Sequence, residues 1–175
     1  MQTQLIHSLL QPTLRCIGPS VRVRANFSGP FGTAAPQPLC PNPVIWTAAH
    51  SVGVDEIDEQ HILLARLIDN LSATLRDGAD QGVILTQLEA LIQYTEFHFG
   101  AEELLMAEYG GDNILAHREA HRRLLDDIRK LVVTNDWVSI SLILRYLREW
   151  LLRHVDGFDK RLAVGLIAKG YKVGS

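Results

Sequence analysis

The fold is decided by one segment, His98-Phe99-Gly100-Ala101-Glu102-Glu103-Leu104-Leu105-Met106. His98 and Glu102 stand four residues apart in a stretch that otherwise reads as a buried helix. This spacing places both side chains on one helix face, one turn apart. Buried polar groups are costly unless they are paired or bind a metal ion. The segment therefore predicts a helical core that contains a polar site.

The chain has a sharp compositional boundary near residue 43. All seven prolines and both cysteines, Cys16 and Cys40, lie at or before Pro43, whereas all 20 acidic residues lie at or after Asp55. A proline-free, charged segment rich in Leu and Ile favours helices. We therefore expect a disordered extension over residues 1–42 and one helical domain over residues 43–175.

The first 42 residues are open to three interpretations. A disordered extension, or a start placed upstream of the true one, fits the lack of a core-forming pattern. Arg15, Arg22 and Arg24, among hydroxylated residues and without acids, fit an organelle transit peptide. A secretory signal fits least, because no charged start is followed by a clean apolar stretch of about 7–15 residues. The expected location is the cytoplasm, with organelle targeting as the alternative.

Composition disfavours several classes of protein. The formal net charge of −3 does not indicate a partner that is a nucleic acid or a membrane surface. No apolar run approaches the ~18 residues needed to cross a bilayer. Two cysteines do not build a disulfide framework for the domain, and neither has the spacing of a zinc site.

Apolar residues recur at alternating spacings of three and four, which predicts four amphipathic helices. The first runs to about Arg76, the second spans about Val83 to Glu108, the third is capped by Asp112 or Asn113, and the fourth by Asp136. A short helical segment, Lys160 to Ala168, follows. Helices of about 20 residues joined by short loops predict an all-α, antiparallel up-down-up-down four-helix bundle. Gly100 lies inside the second helix, and close approach of a neighbouring helix is one explanation for it.

Seven polar residues occupy core positions of these helices: His61, His98, Glu102, His117, His121, His154 and Asp159. In an antiparallel bundle, the starts of the first and third helices share one level with the ends of the second and fourth. All seven residues are therefore expected in one layer. Gly157 indicates a loosened helix that lets Asp159 turn back toward the site. Five imidazoles and two carboxylates are too many for one tetrahedral zinc and suit two first-row ions, with iron favoured by the mixed donors.

With these residues the sequence resembles the hemerythrin family, and most closely its single-domain bacterial members, from about Trp46 to Lys169. The matching signatures are Trp46, Val52-Gly-Val-Asp-Glu-Ile-Asp-Glu-Gln-His61, His98-Phe-x-x-Glu102-Glu-x-x-Met106, His117-x-x-x-His121 and Trp150-Leu-x-x-His154-x-x-x-x-Asp159. Gly110 departs from the family pattern, in which proline often follows the tyrosine. This departure concerns a turn and not the site.

The resemblance implies a non-haem di-iron centre, with Fe2+/Fe3+ ions joined by an oxo or hydroxo bridge, that binds O2 reversibly. The implied ligands of one iron are His117, His121 and His154. Those of the other are His61 and His98, and Glu102 and Asp159 would bridge the two. The iron with two histidines would keep a position open for O2. The apolar residues expected to line the O2 pocket are Leu64, Phe99, Trp150, Leu151 and Val155.

The expected function is oxygen storage, or delivery to an oxygen-consuming enzyme, and not catalysis. One alternative is a di-iron enzyme that handles peroxide or nitric oxide. Such chemistry usually needs an acid or base beside the open position, and Glu103 is expected to face away from Glu102. A second alternative is an O2 or redox sensor, which would need a partner in trans because the sequence shows no output module.

Overall fold

The computed structural model describes residues 44, 46–111, 113–132 and 137–171. These residues form five α-helices and no strand: α1 (Asp55–Arg76), α2 (Gln81–Tyr109), α3 (Ile114–Val132), α4 (Trp137–His154) and α5 (Lys160–Ala168). A short 3-10 turn precedes α1, and a π-helical segment, Val155–Asp159, joins α4 to α5. The predicted all-α class is confirmed. Within the described ranges, no helix has a stretch long and apolar enough to cross a bilayer.

The four long helices pack as a closed bundle. Both α1 and α3 pack against α2 and α4. Two ion pairs join α2 to α3, Glu103–Arg118 at 2.9 Å and Glu96–Arg129 at 2.7 Å. The later acid of α2 pairs with the earlier arginine of α3, which shows that these two helices run antiparallel. The predicted four-helix bundle is confirmed.

An apolar core fills one end of the bundle and leaves the other end for polar residues. Leu71 and Leu75 of α1 are at most 2% exposed, as are Ile84 and Leu88 of α2. The same core includes Leu124, Ile128, Ile140, Ile143 and Leu144 from α3 and α4. Each such side chain contributes about 1.5–3 kcal/mol when it is removed from water. At this end α1 and α3 finish and α2 and α4 begin, so the polar layer lies toward the opposite end of the bundle.

Local signals fix the ends of the helices. α1 ends before Gly78, which has a φ of 66°, a left-handed conformation that glycine adopts at little cost. Asp80 caps α2, because its side chain accepts a hydrogen bond from the Gly82 N–H at 2.8 Å. Asn113 takes the position before α3, where its carbonyl accepts from the His117 N–H at 2.9 Å.

Some sequence predictions lie outside the described residues. These include the extension over residues 1–42 and the caps proposed at Asp112 and Asp136. The suggestion that a neighbouring helix approaches Gly100 closely is wrong. A Cβ atom built at Gly100 would have no atom within 4 Å, because the residue faces outward from α2.

Candidate metal centre

The bundle brings all seven predicted site residues into one buried layer. His61 lies early in α1, whereas His98 and Glu102 lie late in α2. The α3 pair is early in its helix, and His154 ends α4. None of the seven residues is more than 4% exposed. The antiparallel arrangement accounts for the convergence of the six residues that lie in the long helices, since it sets the starts of α1 and α3 beside the ends of α2 and α4.

The candidate donor atoms form two overlapping groups, in each of which all atoms lie within 4.8 Å of one another. The larger group contains His117, His121, His154, Glu102 and Asp159. The smaller group contains His61, His98, Glu102 and Asp159. The two carboxylates thus belong to both groups, whereas each histidine belongs to one.

The three histidines of the larger group converge through their Nε2 atoms. The Nε2 atom of His154 lies 2.9 Å from the Nε2 atoms of both His117 and His121. A neutral imidazole carries one N–H, so three converging nitrogens cannot all satisfy one another. Two ligands at adjacent positions of a six-coordinate ion, with bonds of about 2.1 Å, lie about 3 Å apart. The spacing fits three nitrogens that share one ion.

Asp159 presents one oxygen to each group. Its Oδ1 atom lies 3.0 Å from His117 Nε2 and 3.2 Å from His154 Nε2. Its Oδ2 atom lies 3.2 Å from His61 Nε2. This is the placement that a carboxylate bridge between two ions requires.

The two oxygens of Glu102 likewise face different donor groups. Its Oε2 atom lies 3.2 Å from His121 Nε2 and 3.4 Å from His117 Nε2. Its Oε1 atom lies 3.9 Å from His98 Nε2. Two carboxylates from different elements therefore connect the two groups, which is an arrangement that could hold two metal ions.

Several buried polar atoms of the layer make no hydrogen bonds, which tests independently whether these residues fit bound metal ions. Among the described residues, both oxygens of Glu102, both oxygens of Asp159 and both nitrogens of His61 make no hydrogen bond of acceptable geometry. Buried carboxylates without such bonds are costly. Bound cations would satisfy these atoms and offset the charge of the carboxylates, so the residues fit a pair of metal ions.

The electrostatic surroundings keep both carboxylates of the layer ionised, which is the form that binds cations. Burial and the Asp159 charge oppose ionisation of Glu102, but contacts with His98, His117 and His121 outweigh them and lower the pKa of Glu102 to about 2. Burial likewise opposes ionisation of Asp159, but close electrostatic contacts with His117, His154 and His61 hold its pKa well below the usual range. Both carboxylates are therefore anionic at neutral pH.

The pKa values of three histidines of the layer are shifted, and not all in the same direction. Burial lowers the pKa of His98 to about 3, although the Glu102 charge partly opposes the shift. Burial also lowers the pKa of His154, although Asp159 partly opposes this shift. For His117 burial lowers the pKa, but close electrostatic contacts with Asp159 and Glu102 outweigh it and raise the pKa to about 9. A metal ion would displace the proton of His117.

The π-helical segment explains how Asp159 reaches the layer. Five residues along an α-helix turn a side chain about 140° away from the starting face. In the segment the Lys160 N–H bonds to the Val155 carbonyl, five residues back, which widens the turn and returns Asp159 toward His154. Lys160 Nζ also donates to Asp156 at 2.7 Å and to the Ala49 carbonyl at 2.6 Å. The loosening expected at Gly157 is present.

The five predicted pocket residues all lie at this end of the bundle. Leu64, Phe99, Leu151 and Val155 are at most 4% exposed, and Trp150 is partly buried. The Phe99 ring stacks on His121, with centroids 3.8 Å apart, and its centroid is 5.7 Å from that of His98. Trp150 stacks on His154 at 4.1 Å. Phe99 therefore contacts both groups, whereas Trp150 covers the three-histidine group.

Sequence reasoning missed several contacts of the site. Trp46 packs 5.6 Å from His61, and Phe158 stacks 5.0 Å from His117, measured between ring centroids. The Gln60 Oε1 atom lies 2.9 Å from His98 Nδ1. A polar residue at a core position beside His61 was the available signal for Gln60.

The expectation for Glu103 needs refinement. As expected, Glu103 does not join the two donor groups. Its Oε1 atom nevertheless lies 3.5 Å from His121 Nδ1, on the outer side of that ring, and its Oε2 atom accepts a hydrogen bond from Arg118. Adjacent residues of a helix point in different directions, so Glu103 lies off the face that carries Glu102. This spacing does not show that α3 brings His121 close to Glu103.

Comparison with known proteins agrees with this geometry. Residues 52–163 match the family described as Hemerythrin HHE cation binding domain. The chain is 30% identical over 121 residues to the hemerythrin-like protein of Naegleria gruberi, an alignment that covers 69% of this chain and 92% of that protein. It is 31% identical over 119 residues to the bacteriohemerythrin of Methylococcus capsulatus, covering 66% of this chain and 90% of that protein.

A more distant relative is the myohemerythrin of Riftia pachyptila, 25% identical over 119 residues, with 68% of this chain and 90% of that protein covered. The family match spans all seven residues of the buried layer. The chain belongs to the hemerythrin family.

Proposed function

We propose that the chain binds O2 reversibly at a non-haem di-iron centre, for oxygen storage or for delivery to an oxygen-consuming enzyme. The observation that carries the proposal is the pair of overlapping donor groups that share Glu102 and Asp159. His117, His121 and His154 would hold one iron, and His61 and His98 the other. Two irons held in this way would supply the electrons and the open coordination position that reversible O2 binding needs.

The two groups contain different numbers of histidines, and this difference supports a site that binds an added ligand rather than a closed structural metal site. One group has three histidines and the other has two, while both share the same carboxylates. The smaller group therefore supplies one donor fewer, and an added small ligand could take that place. A site that binds exogenous ligands keeps such a position, whereas a structural site fills it with protein donors.

The surroundings favour a carrier. Leu64, Leu151 and Val155 provide apolar side chains at the layer, and Phe99 contacts a histidine of each group. Apolar walls exclude the water and protons that promote irreversible oxidation of a bound centre. We propose that these residues, with Trp150, line the O2 pocket.

The decisive experiment is an optical titration of the iron-loaded protein from anaerobic to aerobic conditions. A visible charge-transfer band should appear with O2 and disappear when O2 is removed, over repeated cycles. Irreversible oxidation, accompanied by turnover of peroxide or nitric oxide, would instead favour the di-iron enzyme. A reversible band whose appearance changes binding to a partner protein would favour the sensor.

A further inference from the structure

Gln60 is a buried amide directly beside a candidate ligand, yet it belongs to neither donor group. It precedes His61 in α1 and is 2% exposed. Its side chain reaches across to α2, where its Oε1 atom lies 2.9 Å from the Nδ1 atom of His98. An amide buried in this way is stable when its polar atoms are satisfied. The contact joins two helices at the smaller donor group.

The direction of this hydrogen bond fixes the state of the His98 ring. An amide oxygen only accepts, so the Nδ1 atom of His98 must carry the proton and donate it. In a neutral imidazole the other nitrogen then carries the lone pair. That nitrogen, Nε2, is the one that faces Glu102. The contact therefore selects the tautomer and holds the ring in the orientation in which Nε2 can bind a cation.

The chemical type of the group that accepts the hydrogen bond from His98 also affects how strongly the ring donates electrons to a metal ion. A carboxylate that accepts from a ligating histidine makes the ring more basic and more electron-donating. A neutral amide orients the ring with a smaller effect of this kind. The larger donor group differs, because the outer nitrogen of His121 lies 3.5 Å from a carboxylate oxygen of Glu103. The two groups thus differ in their outer partners as well as in their number of histidines.

We propose that Gln60 is a positioning residue that holds His98 as the Nδ1–H tautomer. Because its amide is a neutral acceptor, Gln60 also keeps a metal ion held by the two-histidine group less electron-rich than a carboxylate at this position would. This inference rests on the proposed iron site for its effect on metal binding. Its structural half concerns the metal-free protein alone. A less electron-rich position holds its iron in the reduced state more readily, which suits a site that must return to that state after each cycle.

The first test uses the metal-free protein at pH 7. Long-range 1H–15N NMR should show wild-type His98 as the Nδ1–H tautomer. Gln60→Leu removes the acceptor and should abolish this preference, whereas Gln60→Glu keeps an acceptor and should retain it. The exposed Gln93, changed to Leu, is the matched control and should leave the His98 signals unchanged. An Nε2–H tautomer in the wild type, or an unchanged tautomer in Gln60→Leu, would overturn the proposal.

The second test measures Fe(II) affinity under anaerobic conditions by competition with a chelator. Gln60→Leu should weaken binding about 10- to 100-fold, as loss of a partner of a metal-binding histidine typically does. Gln60→Glu should restore the affinity but lower the midpoint potential of the bound iron relative to wild type. A role in packing alone would lower the thermal stability of Gln60→Leu and leave both affinity and potential unchanged, which would contradict the proposal.

The two tests separate this proposal from the proposed function. If the wild-type protein binds no iron, the proposed function is wrong, and the tautomer measurement alone decides the role of Gln60. If the wild type binds iron and Gln60→Leu binds it equally well, the role of Gln60 is wrong and the proposed function stands.

Discussion

At the scale of single residues, the site depends on how two acids are shared. Glu102 and Asp159 each direct one oxygen to the three-histidine group and one to the two-histidine group. Loss of either acid would remove a donor from both groups at once, whereas loss of a histidine removes a donor from one. The acids should therefore matter most for keeping two ions together.

Removal of a shared acid should strongly reduce iron loading of the centre. Glu102→Ala should hold substantially less iron than wild type, and His98→Ala should lose the iron of the smaller group, because each loses a candidate donor. Iron-to-protein ratios after anaerobic reconstitution measure the loss, and circular dichroism checks that the helices persist. His50→Ala changes a histidine outside both groups and should load normally. Full loading of Glu102→Ala would show that the ligand assignment is wrong.

At the scale of elements, α2 carries two of the site residues and also a glycine that lowers the stability of the helix. His98 and Glu102 lie on its inner face, and Gly100 lies between them on the outer face with open space around it. The freedom of glycine therefore serves no close contact in this structure.

Gly100→Ala should stabilise the protein by about 0.5–1 kcal/mol, because alanine loses less backbone entropy in a helix interior. This raises the midpoint of thermal unfolding by about 1–4 °C for a domain of this size. Gly110→Ala is the contrasting variant, since Gly110 has a φ of 67° and a Cβ there would lie 3.0 Å from Lys169 Nζ. It should destabilise the protein. A lower melting midpoint for Gly100→Ala would indicate that the glycine has a structural role not evident here.

The Asp58 side chain holds residues 51–53, which directly precede α1. Asp58 accepts hydrogen bonds from the Val52 N–H at 2.8 Å, the Gly53 N–H at 3.1 Å and the Ser51 hydroxyl at 2.6 Å. Because an ionised acceptor makes stronger bonds, Asp58→Ala should cost about 1–2 kcal/mol of unfolding free energy. Chemical denaturation measures this loss. Glu59→Ala, at an exposed neighbouring position, should change stability by less than about 0.5 kcal/mol, and equal losses would argue against a specific role for Asp58.

At the scale of the whole molecule, the buried charges predict how stability varies with pH without metal. Below about pH 6.5 the unfolded chain protonates His98, whereas the folded pKa is about 3, so stability falls as pH decreases. Above that pH the unfolded chain deprotonates His117, whereas the folded pKa is about 9, so the contribution of His117 is lost as pH rises through 9. The two effects predict greatest stability near pH 6.5.

Thermal unfolding of the metal-free protein at pH 5, 6.5 and 9 tests this profile. The melting midpoint should be highest near pH 6.5 and lower at both other values. His117→Gln should flatten the decline between pH 6.5 and 9, because the titrating imidazole is gone. A midpoint that rises steadily up to pH 9 would contradict the protonated state of His117. Metal-loaded protein should lack the alkaline decline due to His117, because binding has already displaced its proton.

Much of the fold and of the candidate site could be predicted because the relevant signals are local. Spacings of three and four residues define each inner face, and the glycine after α1 marks the end of that helix. Short connections between long helices then fix their antiparallel order, which brings His61 and His98 to one level. The same logic could not find the contact between Glu103 and His121, since it depends on the packing of α3 against α2.

The sequence by itself determined the helical class, the seven residues of the buried layer and the family, because helical periodicity and motif spacing are properties of short segments. Tertiary structure decided which oxygen of Glu102 faces which histidine, how the π-helical turn returns Asp159, and that Gln60 supports His98. These features depend on side-chain rotamers and on distances of a few ångströms between helices. Such distances are set by how the apolar core packs, and residue spacing along one chain does not specify them.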